Sequence, residues 1–274
     1  MKPWPSLSTL KLDHQTGWLT IWLHRPEVRN ALSAQMVSEL METLERVAQD
    51  AGLRGVTIRG HGGVFCAGGD IKDFKATMQG QDLATVRASS LRAGELFERI
   101  NSLPQVVLML VEGPAMAGGM GMVCAGDVVA VTADASFALT EVTLGIPPAQ
   151  IAPYVVNRLG LRTARRLMLT AARFGAEEAL QMGMADHLAA DAAGLETFEA
   201  GIKTAVTRCA PGANAVTKRI LLATQRLEGE SMRALAADGF AHCMLDDEGR
   251  EGVAAFLEKR KPAWNTQAKP PLLD

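Results

Sequence analysis

The sequence predicts an α/β fold with a helical back end, on three observations. Short β-branched and apolar runs alternate with amphipathic stretches up to about residue 139, only helical periodicity recurs beyond it, and a strand pattern twice runs through a glycine turn into a helix.

Residues 19–23 read as a strand that ends at the turn-prone Arg25-Pro26-Glu27. Ser33 suits an N-cap, and Met36, Val37, Leu40, Leu44 and Val47 then recur at helical spacing with Glu39, Glu42, Glu45 and Arg46 between them. Residues 55–59 form a short strand, and 64–70 run into the Gly68-Gly69 turn, with Asp70 placed to cap the next helix. The polar segment Gln79-Gly80-Gln81-Asp82 reads as a mobile flap. A helix is expected over about 83–100, stopped near Pro104. The apolar strand 106–111 leads into a glycine-rich stretch, 113–121, and an apolar helix begins near Met120. Strands follow at 128–132 and 136–139, then helices at 163–169, 176–182, 195–209, 213–227, 232–242 and 248–259.

With 274 residues, 48% of them hydrophobic and 21% charged, the chain can bury a sizeable core, read as one main domain with a C-terminal helical part. A net charge of −2 leaves no broad basic footprint for nucleic acid or an anionic membrane. Cys66, Cys124, Cys209 and Cys243 are far apart and form no CxxC pair, which fits a reducing cytoplasm. The five histidines show no metal-ligand spacing, so no metal is expected. The start, Met-Lys-Pro-Trp-Pro, lacks a signal peptide's apolar core, and no apolar run reaches the roughly 20 residues of a membrane span, so a soluble protein is expected. Neither glycine turn completes GxGxxG, because counting from Gly119 and Gly121 the third position holds Cys124, and no GxxxxGK[ST] occurs.

Two glycine turns that each precede a helix suggest a chemistry. Helix N-termini present unpaired N–H groups, and glycine lets a ligand approach the backbone. If the turns at Gly68-Gly69 and Gly118-Gly119 meet in space, their N–H groups can grip one developing oxyanion, each donor being worth about 3 kcal/mol in a transition state. From the spacing alone, glycines that only make tight turns are the simpler reading.

Residues 25–32 (Arg-Pro-Glu-Val-Arg-Asn-Ala-Leu), 64–72 (Val-Phe-Cys-Ala-Gly-Gly-Asp-Ile-Lys), the 113–127 stretch and 137–146 (Phe-Ala-Leu-Thr-Glu-Val-Thr-Leu-Gly-Ile) together resemble the crotonase superfamily. So do 164–170 and 176–183, in the family's order over most of the chain. The resemblance implies a spiral of ββα turns over 1–205, a helical trimerisation region over 206–274, and a homotrimer or dimer of trimers. It also implies an acyl-CoA thioester substrate with no separate cofactor. It puts the oxyanion hole on the N–H groups of Gly69 and Gly118, and Cys66, Ala67, Asp70, Ile71 and Lys72 along the CoA-binding loop. Arg25 and Val28 would lie near the nucleotide, and Phe256 and Lys259 would reach the CoA of a neighbouring subunit. Cys66 reads as a small buried thiol rather than a nucleophile.

The family's hydratases often use two glutamates. Here Glu141 matches the second, whereas Gly121 stands where the first would be. Glu141 in an apolar pocket would have its pKa raised by desolvation, which suits a group that both donates and accepts protons. Three functions stay open: a hydratase with Glu141 as acid and base, a double-bond isomerase using Glu141 alone, and a non-catalytic CoA-ester- or RNA-binding protein. Residues 146–156 resemble bacterial hydratases of branched glutaconyl-CoA compounds, and favour isohexenylglutaconyl-CoA, then 3-methylglutaconyl-CoA, as the substrate.

Overall fold

The computed structural model describes residues 4, 6–79 and 82–265; Gly80 and Gln81 of the expected flap lie outside the described residues. In chain order, β1 (Leu10–Gln15) and β2 (Trp18–Leu23) precede α1 (Ala34–Gln49) and β3 (Gly55–Gly60). Then come α2 (Ile71–Met78), α3 (Leu83–Ser102), β4 (Val106–Val111), β5 (Pro114–Met116) and α4 (Gly118–Ala125). β6 (Val128–Thr132), β7 (Ser136–Ala138), α5 (Ala152–Thr170), β8 (Phe174–Gly175), α6 (Ala176–Gln181), β9 (His187–Ala189) and α7 (Ala192–Thr207) follow. The chain ends in α8 (Pro211–Ala223), α9 (Gly229–Leu245) and α10 (Asp247–Leu257).

The larger sheet has the order β1-β2-β3-β4-β6-β9, parallel except for the β1–β2 hairpin. A second layer is built from single bridges, Leu32 with Gly69 and Cys66 with Ala115, continued by the sheet β5-β7-β8. Each pass of the chain therefore lays a strand in the large sheet, a short strand or bridge in the second layer, and then a helix. That is the expected spiral of ββα turns. The register explains why the large sheet sits where it does. Leu19, Val56, Val107 and Ile21, Ile58, Met109, Val129 align on one face and are fully buried in the main core with α1 and α3 residues. Burying one such side chain contributes roughly 1.5–3 kcal/mol. The alternate residues Trp18, Leu108, Leu110 and Ala130 face the other way and pack with Leu195 and Val206 of α7.

The expected caps hold. Ser33 accepts from the Met36 N–H and Asp70 from the Lys72 N–H. β1 escaped the sequence reading because its charged residues, Lys11 and Asp13, belong to an edge strand with one exposed side. α5 begins eleven residues before the expected 163, since Pro153 sits in its first turn and Gly160, at φ +73°, kinks it. The expected boundary at 205/206 falls inside α7.

Two cations fasten the C-terminal helices to the core. Lys218 of α8 pairs with Asp127 and donates to the Gln105 carbonyl at 2.7 Å. Arg54, just before β3, donates to the carbonyls of Val206 (3.2 Å), Cys209 and Trp264 (3.3 Å). Phe240, Leu245, Val253, Phe256 and Leu257 on α9 and α10 remain exposed. No helix among the described residues is long and apolar enough to cross a membrane.

Candidate active site

The first glycine turn follows β3. In the Leu32–Gly69 bridge, the Leu32 N–H donates to the Gly68 carbonyl (2.8 Å) and the Asp70 N–H to the Leu32 carbonyl (3.0 Å). This pattern turns the Gly69 N–H away from Leu32. Gly68 has φ +94°, and a Cβ there would lie 2.8 Å from Ala117 Cβ, so this turn abuts the second one directly.

The second turn is set by Ala117, a non-glycine residue at φ 50° and ψ −122° whose N–H donates to the Ala138 carbonyl at 2.8 Å. Such a conformation costs about 1–3 kcal/mol and persists only where its neighbours enforce it. α4 starts at once, two residues before the expected Met120, so Gly118 is its first residue and its N–H has no partner within the helix. Gly119 fits against Cys66, whose Cβ would be 2.8 Å from a Cβ at 119. The condition posed by the sequence, that the two turns meet, is satisfied. Neither the Gly69 nor the Gly118 N–H donates to a backbone carbonyl among the described residues. Two free donors on adjoining turns, one at a helix N-terminus, can hold an oxygen that gains negative charge.

Glu141 opens a single helical turn, Glu141–Leu144, directly after β7, the strand whose Ala138 carbonyl holds Ala117. The carboxylate is half-buried, its Oε2 atom is out of solvent without a hydrogen-bond partner, and burial raises its pKa above the ordinary value. A carboxyl in this condition can hold a proton and release it. Aromatic rings surround the turns. A Cβ on Gly118 would be 3.8 Å from the Phe97 ring, which packs at 6.1 Å on Tyr154, and one on Gly69 would be 3.0 Å from Phe74 Cε2.

The residues 13–267 match the family described as enoyl-CoA hydratase/isomerase. The chain belongs to this family. Among solved structures it is similar to Pseudomonas aeruginosa AtuE, with 45% identity, a TM-score of 0.91, and coverage of 94% of this chain and 100% of that one. An enoyl-CoA hydratase/isomerase from Marinobacter aquaeolei superposes with a TM-score of 0.90 at 37% identity, covering 94% and 99%. A Bacillus subtilis protein named "Probable enoyl-CoA hydratase" is 31% identical over 257 residues, 93% of this chain and 97% of that protein. The ββα spiral is thus the crotonase fold, and the chain is an enzyme of the enoyl-CoA hydratase kind.

The other residues singled out in the sequence divide into two groups. Arg25 and Asp70 bind each other at 2.9 Å, and Arg25 also donates to the Ala31 carbonyl, so this pair ties the 25–31 loop to the cap of α2. Burial would raise the Asp70 pKa, but hydrogen bonds from Arg25 and the Lys72 N–H lower it. Cys66 is fully buried, which pushes its thiol up to about 12, and its sulfur accepts from the Gly68 N–H at 3.4 Å within the first turn. Ala67 and Val28 are partly exposed, while Ile71 and Lys72 are open to solvent beside Gly69. Phe256, 82% exposed, and Lys259 lie at the end of α10, which packs on α9 and not on the glycine turns. Among the described residues no group of three or more potential ligands could hold a metal.

Two positioning side chains escaped sequence reasoning. Phe74 follows Asp70 by one helical turn, and that spacing placed it on the Gly69 side. Arg158 of α5 donates to the carbonyls of Cys124 (3.3 Å), Gly126 and Met184 (3.1 Å), closing the C-terminal end of α4. Nothing in the local sequence marks that role.

Proposed function

We propose that this enzyme hydrates the double bond of a 2-enoyl-CoA thioester, with the thioester oxygen held by the N–H groups of Gly69 and Gly118 and Glu141 as the single acid and base. The observation that carries this reading is the pairing of acceptor-free N–H groups on adjoining turns with a buried carboxylate oxygen that has no partner. In the reaction, Glu141 takes a proton from water as the oxygen attacks C3. The electron pair of the double bond moves onto the thioester oxygen, where the two N–H groups stabilise it. The carboxyl then returns its proton to C2. One water is added, and Glu141 ends as it began.

The acyl group we assign is a branched glutaconyl unit, isohexenylglutaconyl-CoA first and 3-methylglutaconyl-CoA next. This rests on the likeness of residues 146–156 to hydratases of that class, and the rings of Phe74, Phe97 and Tyr154 supply apolar surface for a branch. The CoA would run past Ala67, Ile71 and Lys72, with Arg25 and Asp70 shaping that path and Val28 toward the nucleotide. Coenzyme A enters only as part of the substrate, and no other cofactor is needed. The exposed apolar residues of α9 and α10 fit burial in a homotrimer or a dimer of trimers, where Phe256 and Lys259 would meet a neighbour's CoA, and the setting would be cytoplasmic. Gly121 favours a second reading, in which Glu141 moves a proton between C4 and C2 and shifts the double bond without adding water.

Purified protein incubated with straight and branched enoyl-CoA esters in ¹⁸O-water separates these. Gain of one labelled water identifies the hydratase and its acyl group. An unchanged mass with a moved double bond means the isomerase, and no product from any ester overturns both.

A further inference from the structure

The loop after Glu141 is keyed into two helices through two glycines. Gly121 is buried in α4, and a Cβ there would lie 2.7 Å from Ile151 Cβ and closer still to its Cγ2. Ile151 is 3% exposed and opens α5, with the N–H groups of Tyr154 and Val155 both donating to its carbonyl at 3.1 Å. Its neighbour Gln150 fills a second notch. A Cβ on Gly94 of α3 would be 3.0 Å from Gln150 Cδ, and the Gln150 amide donates to Ser90 Oγ at 3.0 Å. With residue 150 locked on α3 and residue 151 on α4, Ile151 cannot swing aside alone.

We infer that Ile151 and Gly121 form an exclusion pair: Ile151 fills the volume that a side chain at position 121 would need, so residue 151 decides whether the site carries one carboxylate or two. This rests on the proposed function, in which Glu141 is the single acid and base. The consequence is electrostatic. With Ile151 in place the site presents one carboxylate to the acyl group, and a substrate that carries its own carboxylate meets less repulsion than it would beside a pair. Position 151 therefore acts on specificity without touching the reacting atoms.

The test is a cycle of Gly121→Glu, Ile151→Gly and the double variant, read by thermal unfolding and by kcat/KM for glutaconyl-CoA and crotonyl-CoA, which differ by one terminal carboxylate. Gly121→Glu alone is expected to lower the unfolding midpoint by about 5–10 °C through overpacking. The double variant should recover part of that loss, a coupling that distant sites do not show. It should also lower the glutaconyl to crotonyl preference about tenfold or more relative to Ile151→Gly. Additive unfolding midpoints would overturn the shared volume, and an unchanged preference with coupling present would overturn the effect on specificity. If wild type turns over neither ester nor any other enoyl-CoA, the proposed function falls while the unfolding cycle still judges the pair.

Discussion

Glu39 and Glu141 are two carboxylates drawn out of water, and their surroundings push them in opposite directions. Glu39, on the inner face of α1, accepts from the N–H and hydroxyl of both Ser8 and Thr9 and from the Gln35 amide, at 2.6–2.9 Å. Burial would raise its pKa, but the hydrogen bonds from Gln35, Thr9 and Ser8 override this and bring it down to about 2. Glu141 also feels burial first, but it has one oxygen without any partner, and its pKa goes up. Burial alone thus does not decide the state of a carboxyl; the donors that come with it do. The first carboxylate fastens the N-terminal segment to α1. The second is kept short of partners, where a proton is easily held and given up.

Three substitutions, one of them read in two ways, break or sharpen this contrast. The largest effect is expected from Glu141→Gln, which keeps size and removes proton transfer: kcat should fall about 10³-fold while binding of CoA esters, measured by calorimetry, survives. A fall of less than tenfold would take Glu141 out of the chemistry. Glu39→Gln sets an amide NH₂ against donors that already fill the site, and should cost about 3 kcal/mol in urea unfolding with kcat unchanged. The sign of its pH dependence is fixed. A folded-state pKa below the unfolded value of 4.5 adds stability that is complete above that value and lost as the pH falls toward about 2. Wild type should lose stability through this window, and the variant should show a flatter acid limb. Arg158→Met leaves the part-buried carbonyls at the C-terminal end of α4 without their charged donor and should cost about 2 kcal/mol in urea unfolding. Preserved stability would show that water replaces the guanidinium. The smallest effect again concerns Glu141. Its raised pKa means that ionisation works against the fold as the pH rises past the ordinary carboxylate value. Glu141→Gln should therefore raise the unfolding midpoint by about 2 °C at pH 8 and by less at pH 5, and an equal gain at both would refute the raised pKa.

Strands β2, β3, β4 and β6 were legible because both of their faces are covered and their residues are apolar almost throughout. β8 and β9, of two and three residues, are too short to carry a pattern, and β1 is masked by the polar side of an edge. At the site, Glu141 and the two glycine turns could be named in the sequence, but not what surrounds them. Gly118-Gly119 reads as a turn although the helix has already begun there, because an N-terminal helical residue differs from a turn residue only in where its carbonyl bonds. The fit of Ile151 on Gly121, of Phe74 on Gly69 and of Arg158 on α4 depends on elements brought together by the spiral. No local pattern encodes such contacts.

Arg54 joins parts of the chain made at very different times. Its partners Val206, Cys209 and Trp264 lie 152, 155 and 210 residues downstream. At ordinary rates of synthesis the guanidinium waits about 10–40 s for the last of them. Through most of that interval β3 can pair with β2 and β4 while the guanidinium that will receive the end of α7 and then Trp264 stays solvated. The last of the three bonds forms only after α10 has been made, and a chain cut between Cys209 and Trp264 would keep the first two partners of the guanidinium and lack the third.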